Sequence, residues 1–349
     1  MNWHVKSIVS TAIWVAVPKQ LTLTLWKILM RTKILEFKSL LACLAILLSA
    51  AGTAFATFPG HNGLIAFQAQ TSAGVQIYTV RPNGKGLQQI TFLSGDAVAP
   101  AWSPDGRRIV FEHDAPGECG NVAIMNAEGN GLIEFPVPGV CEGDPSFTPD
   151  GIRIIFDRVD PATNDEAFWS MDLNGDNRQR IGPCCADPNV SPNGKKISFL
   201  GFNGDPAGSA LFTSNIDGSN LFQVTPFNFD VAVKQDWAPD GKHLVFSIYG
   251  DVPIPGLSTN IVTIRPNGKQ LHFVTNYEGG DVSAFVGSYS PDGRWITFRL
   301  NDQGLFGLYK IHPDGSGLKA ILPLSDFRPR FIAWGARPNE ANDEDGEDW

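Results

Sequence analysis

Past residue 56 the chain shows no long amphipathic helical pattern. Its apolar positions fall in short runs, each with an aromatic near its centre. Five of these are Ile109-Val110-Phe111, Ile154-Ile155-Phe156, Ile197-Ser198-Phe199, Leu244-Val245-Phe246 and Ile296-Thr297-Phe298. A turn precedes each: Trp102-Ser103-Pro104-Asp105-Gly106, Phe147-Thr148-Pro149-Asp150-Gly151, Val190-Ser191-Pro192-Asn193-Gly194, Trp237-Ala238-Pro239-Asp240-Gly241 and Tyr289-Ser290-Pro291-Asp292-Gly293. Proline presets φ for the second turn position, Asp or Asn suits the third, and Gly supplies the positive φ that closes a three-residue hairpin. The Asp/Asn positions step by 45, 43, 47 and 52 residues. Such a period marks a repeat architecture.

A second marker occurs six times. Strands beginning at Ile77, Ala123, Phe168, Leu211, Ile261 and Leu308 run into turns ending at Gly84, Gly129, Gly175, Gly218, Gly268 and Gly315. The mismatch of five against six has a simple reading. The first unit starts on its second strand, Asn62–Phe67, and the missing first strand stands at the far end as Phe331-Ile332-Ala333-Trp334-Gly335. In a ring of four-stranded sheets that last strand completes the first blade and removes an open edge. The expected fold is therefore all-β: a six-bladed β-propeller of four-stranded antiparallel blades, closed by the C-terminal strand.

The repeat W-S-P-D-G, I-x-F, I-Y-x5-G resembles the TolB-like, WD-like propeller family over roughly residues 60–335. The resemblance implies a propeller without the N-terminal α/β domain of TolB itself, because Thr57 leads to the first strand within a few residues. It implies little about chemistry, since one fold hosts many functions.

The 36 Gly and 25 Pro agree with many tight turns. The N-terminal segment changes the compartment. Arg31, Lys33 and Lys38 precede an apolar run from Leu40 to Leu48, and Ala54-Phe55-Ala56 has the small-residue pattern of a signal-peptidase site. Residues 1–29 are read as an upstream extension, 30–56 as a signal peptide, 57–335 as the propeller and 336–349 as an acidic disordered tail. The alternative at the N-terminus is a retained membrane anchor. A lipobox-like Leu40-Leu41-Ala42-Cys43 is discounted because it precedes the apolar run. The expected location is periplasmic or secreted. Without residues 1–56 the chain carries 21 basic and 35 acidic residues, a net charge of −14. That sign excludes a basic nucleic-acid footprint.

Antiparallel alternation places both sets of short turns on one face and the variable loops on the other, where binding usually resides. One of the variable loops, around Gly250–Gly256, is long. The variable-loop face also collects carboxylates at the blade junctions: Asp96, Asp144, Asp187, Asp236, Asp281 and Asp326 are the candidate binding-face acids of a negative mouth. The bland alternative is solvated loop acids in an acidic protein. On the same face lie Cys119, Cys141, Cys184 and Cys185. Four cysteines allow three complete pairings, and Cys119–Cys141 is the most economical. A rival reading makes a metal site of His113, Asp114, Glu118 and Cys119, although their spacing fits no tight zinc pattern. Asp172-x-Asn174-x-Asp176 resembles the start of a calcium loop but overlaps a repeated hairpin turn, and reads as a turn.

The sequence contains no G-x-S-x-G, H-E-x-x-H or P-loop pattern, and its histidines are scattered. The favoured reading is a monomeric binding scaffold with no cofactor, for an envelope or extracellular protein, peptide or glycan. Nucleic acid and stable membrane insertion after signal removal are not expected. The alternative is a metal-dependent hydrolase or lyase with its site at the channel mouth.

Overall fold

Each S-P-D-G segment folds into the turn its residues require. In the first, the Gly106 amide donates to the Ser103 carbonyl at 2.9 Å, and Gly106 sits at φ 66°. The Ser103 hydroxyl donates to Asp105 and accepts the Arg108 amide, tying the turn to the strand that follows. Thr148, Ser191 and Ser290 repeat this arrangement. In the fourth turn Ala238 stands at the hydroxyl position, and only the backbone bond and the Asp240 contact to the Lys242 amide remain.

The computed structural model describes residues 58–182, 185–204, 208–249 and 258–338. The expected signal peptide at 30–56, most of the expected acidic tail at 336–349, Cys184 and the loop at 250–257 lie outside the described residues. Six four-stranded antiparallel sheets follow one another along the chain. Their innermost strands are Arg330–Ala336, Asp96–Trp102, Cys141–Phe147, Ala186–Val190, Val231–Trp237 and Val282–Tyr289, for blades 1 to 6. The predicted closure is observed: Ile65 pairs with Trp334 and Ala66 with Ala333. The Trp334 indole donates to the Gly63 carbonyl at 3.1 Å, so the buried ring also satisfies its one polar atom.

The core is six cores. Each buried apolar cluster joins two neighbouring blades, and together they cover all six blade interfaces. The phenylalanine of each repeat (Phe67, Phe111, Phe156, Phe199, Phe246 and Phe298) is buried at the corresponding place. A blade has two apolar faces and cannot bury both alone, which is why repetition stabilises the fold. Down the axis the inner strands leave a void of about 60 Å³, lined by residues of all six blades and by Phe58.

Candidate functional site

All six inner strands carry a register irregularity against their neighbour. At the same place in five of them the backbone takes a positive φ: Ala99, Asp144, Asp187, Lys234 and Phe331. Bulges of this kind re-aim backbone groups and side chains. Here they turn amides toward the preceding blade. The Ala99 amide donates to Gln68 (2.7 Å), Asp144 to Glu112 (3.3 Å), Asp187 to Asp144 (3.2 Å), Gln235 to Asp187 (2.8 Å) and Val286 to Ser247 (2.8 Å). A belt of side chain-to-amide bonds thus links five of the six neighbouring blade pairs at the channel mouth.

Three acceptors in this belt share one repeat position, the residue after the strand phenylalanine. Around the ring that position reads Gln68, Glu112, Asp157, Leu200, Ser247 and Arg299. Sequence reasoning missed it by attending to the loops. Lining up the I-x-F strands and reading one residue further would have found it.

The side chains at the mouth divide by charge. Glu112, Asp114, Asp144, Asp157 and Asp187 gather on blades 2 to 4. Burial, then Asp114, Asp144 and Asp157, push Glu112 up to about 9. Burial and Asp144 push Asp157 up to about 7. Burial and Asp187 push Asp144 up to about 6, against the pull of Lys234. Gly120 and Gly143 make room for the Glu112 carboxyl, since a Cβ at either would collide with it. Lys234 stands at the border of this group with its ammonium 3.5 Å from Asp187. Burial opposes the Lys234 charge, but Asp187, Asp236 and Asp144 outweigh it and raise its pKa.

Blades 5, 6 and 1 supply the opposite character. A cavity of about 310 Å³ lies among Lys234, Tyr249, Phe285, Arg299, Arg330 and Phe331. Its neighbour of about 610 Å³ shares Arg330 and adds Asp326, Phe327 and Arg328. The mouth, where the sequence places a carboxylate at every blade junction, is acidic on one side and cationic and aromatic on the other.

The individual acids explain the difference. Asp96 accepts the Val75 amide at 2.7 Å and so joins blades 1 and 2. Asp144 and Asp187 belong to the belt. Asp236, like Asp144 and Asp187, lies inside an inner strand and not in a connecting loop, and it accepts the amides of Trp237 (2.8 Å) and Tyr289 (3.0 Å). These four carboxylates hold backbone, whereas Asp281 and Asp326 are exposed. Glu142, only 1% exposed, sits between Arg178 and Arg158 at the interface of blades 2 and 3, where burial outweighs both guanidiniums and raises its pKa.

Cys119 and Cys141 form a disulfide with Cα atoms 4.9 Å apart, joining a connecting segment of blade 2 to the first residue of the inner strand of blade 3. The other residues of the rival metal reading are dispersed in role. His113 is buried, with one ring nitrogen 3.0 Å from Glu134 and the other 3.1 Å from the Ser94 carbonyl. Asp114 belongs to the acidic group, and Glu118 is exposed. The Asp172–Asp176 string forms a hairpin turn in which Asp172 pairs with Arg153 at 2.6 Å.

These features define a six-bladed propeller with a polarised channel mouth, and the comparisons agree on the fold. TolB from Acinetobacter baumannii superposes with a TM-score of 0.65 at 17% identity, covering 79% of this chain and 67% of that one. Kuenenia stuttgartiensis hydrazine synthase superposes with a TM-score of 0.61 at 15% identity, covering 80% of this chain and 48% of that one. In sequence, a stretch of 37 residues is 51% identical to the Tol-Pal system protein TolB of Nitratidesulfovibrio vulgaris, spanning 11% of this chain and 8% of that protein. No family model matches. The fold is thus that of the TolB-like propellers.

Proposed function

We propose that the chain is an exported binding scaffold whose channel mouth, on the variable-loop face, receives part of an envelope or extracellular protein. One observation carries this reading. The mouth presents an acidic group and a cationic, aromatic cavity side by side, whereas the opposite face repeats two short turns. Complementary charge on a partner would fix its orientation and speed its encounter. Variable loops on a rigid ring are suited to such a role. Export is supported by the cleavable pattern at residues 30–56 and by the Cys119–Cys141 disulfide, which an oxidising compartment favours. No helix among the described residues is long and apolar enough to cross a membrane.

The test compares capture from an envelope extract by three forms of the chain from Thr57 onward: wild type, a mouth variant (Asp157→Asn with Arg330→Gln) and a turn-face variant (Lys242→Glu). A partner held by the wild type and the turn-face variant but lost by the mouth variant supports the proposal. Equal capture by all three, or none by the wild type, overturns it.

A further inference from the structure

Four of the arginines in this propeller meet carboxylates. Arg153 pairs with Asp172, Arg158 and Arg178 with Glu142, and Arg180 with Asp165. Arg299 does not. Its side chain is half-buried, and its Nε has no hydrogen-bond acceptor among the described residues. No carboxylate among those residues lies within ion-pair distance of Arg299, Arg328 or Arg330. Three like charges are therefore gathered at one rim, and burial together with Arg330 and Arg328 pulls the Arg299 pKa down to about 10. A guanidinium withdrawn from water without a partner is costly, and a fold retains that cost only where something offsets it.

Aromatic rings offset part of it. The Arg299 guanidinium lies 4.2 Å from the centre of the Phe285 ring and 5.7 Å from that of Phe306, and Arg328 lies 4.3 Å from Phe306. Tyr249 packs edge-on against Phe285 with ring centres 6.2 Å apart. Stacking engages the flat face of a guanidinium and leaves its N–H edge available, the edge that meets a carboxylate through two parallel bonds. The cavity of about 310 Å³ beside it is at the small end of the range for ligand pockets. Its walls are aromatic at Tyr249, Phe285 and Phe331 and cationic at Arg299 and Arg330. Lys234 contributes field but is already engaged by Asp187.

We propose that this cavity is a binding site for a carboxylate carried on an aromatic or apolar body, with Arg299 and Arg330 as its anchors. The inference rests on the mouth being the working face. It names the chemistry received on the cationic side: a free aryl- or acyl-carboxylate, or a carboxylate of a partner peptide next to an apolar residue.

Isothermal titration calorimetry of the chain from Thr57 onward tests it with four probes: N-acetylphenylalanine, its primary amide, the blocked peptide acetyl-Ala-Phe-Asp-Ala-amide, and inorganic phosphate. At least one of the two carboxylate probes is expected to bind, and the tighter of them identifies the source. The amide and phosphate are expected to bind at least tenfold more weakly, about 1.4 kcal/mol. Arg299→Gln and Arg330→Gln should each weaken the carboxylate at least tenfold, and Arg299→Lys should restore part of the loss at position 299. Thermal melting identifies any variant that fails to fold, and the other position then carries the test. The proposal is overturned if acid and amide bind alike, if phosphate binds as well as the acid, if neither carboxylate binds, or if the folded variants bind like wild type. Carboxylate binding without mouth-dependent capture from an extract would overturn the scaffold reading and leave the site standing.

Discussion

Replacing Glu112 by Gln should stabilise the protein above neutral pH and leave it unchanged in acid. Glu112 has an ordinary value of 4.5 and is pushed up to about 9 in the folded ring. Between those limits the folded state holds a proton that the unfolded chain releases. Stability from this group is therefore fully present below pH 4.5 and is lost progressively as pH rises toward 9. Asp157 and Asp144, pushed up to about 7 and about 6, add loss of the same sign over lower windows. Each unit of pH within a window costs up to about 1.4 kcal/mol per group. At pH 8 the ceiling for Glu112 alone is about 5 kcal/mol, and proton sharing with its acidic neighbours reduces the expected effect to about 2 kcal/mol. Gln keeps a carbonyl oxygen for the Asp144 amide and cannot ionise. Urea denaturation of wild type and Glu112→Gln at pH 5 and pH 8 provides the measurement. Wild type should be less stable at pH 8, and the variant should recover much of the difference. A wild type that gains stability from pH 5 to pH 8, or a variant with an unchanged slope, would refute the reasoning. Asp160, Asp217 and Asp314 have lowered values, held down by hydrogen bonds from nearby hydroxyl and backbone groups, so their contribution is lost only in stronger acid, outside this comparison.

Ending the chain before Phe331 removes the inner strand of blade 1 and the buried Trp334 and should abolish cooperative melting, whereas ending it after Glu340 should leave Tm within about 1 °C of wild type; equal melting of the two truncations would contradict strand closure. Cys119→Ser opens a disulfide with a sequence separation of 22 and should destabilise by about 3 kcal/mol, while Cys141 becomes reactive to a thiol label. N-terminal sequencing of exported protein should begin at Thr57, and retention of residues 30–56 would exclude the cleavage reading.

The parts of the fold that were legible are those where backbone geometry restricts the residue choice. Pro104-Asp105-Gly106 and its equivalents can do little but turn, and each repeat phenylalanine fills a blade interface, so turns and strands could be counted along the chain. Strand closure followed from counting alone. The site was less legible because a carboxylate looks the same whether it faces a ligand or a neighbouring amide. Asp144, Asp187 and Asp236 were located near the mouth by sequence, but their hydrogen bonds to the next blade depend on bulges that carry no fixed signature. Ala99, Asp144, Asp187, Lys234 and Phe331 all take a positive φ with unrelated side chains. The cationic side was missed altogether, because Arg299 and Arg330 are 31 positions apart and are read as ordinary strand residues until the ring closes.

The bond between the Trp334 indole and the Gly63 carbonyl spans 271 positions. Blade 1 therefore begins forming with the first strand made and waits for the last. Until then its second strand, Asn62–Thr71, has a vacant inner edge, and five blades can gather without a ring. Contacts so distant in sequence slow folding, since the loop they close must lose its freedom first. A chain fed end-first through a narrow pore would consequently remain open for almost its whole passage and lock only as its final strand arrived.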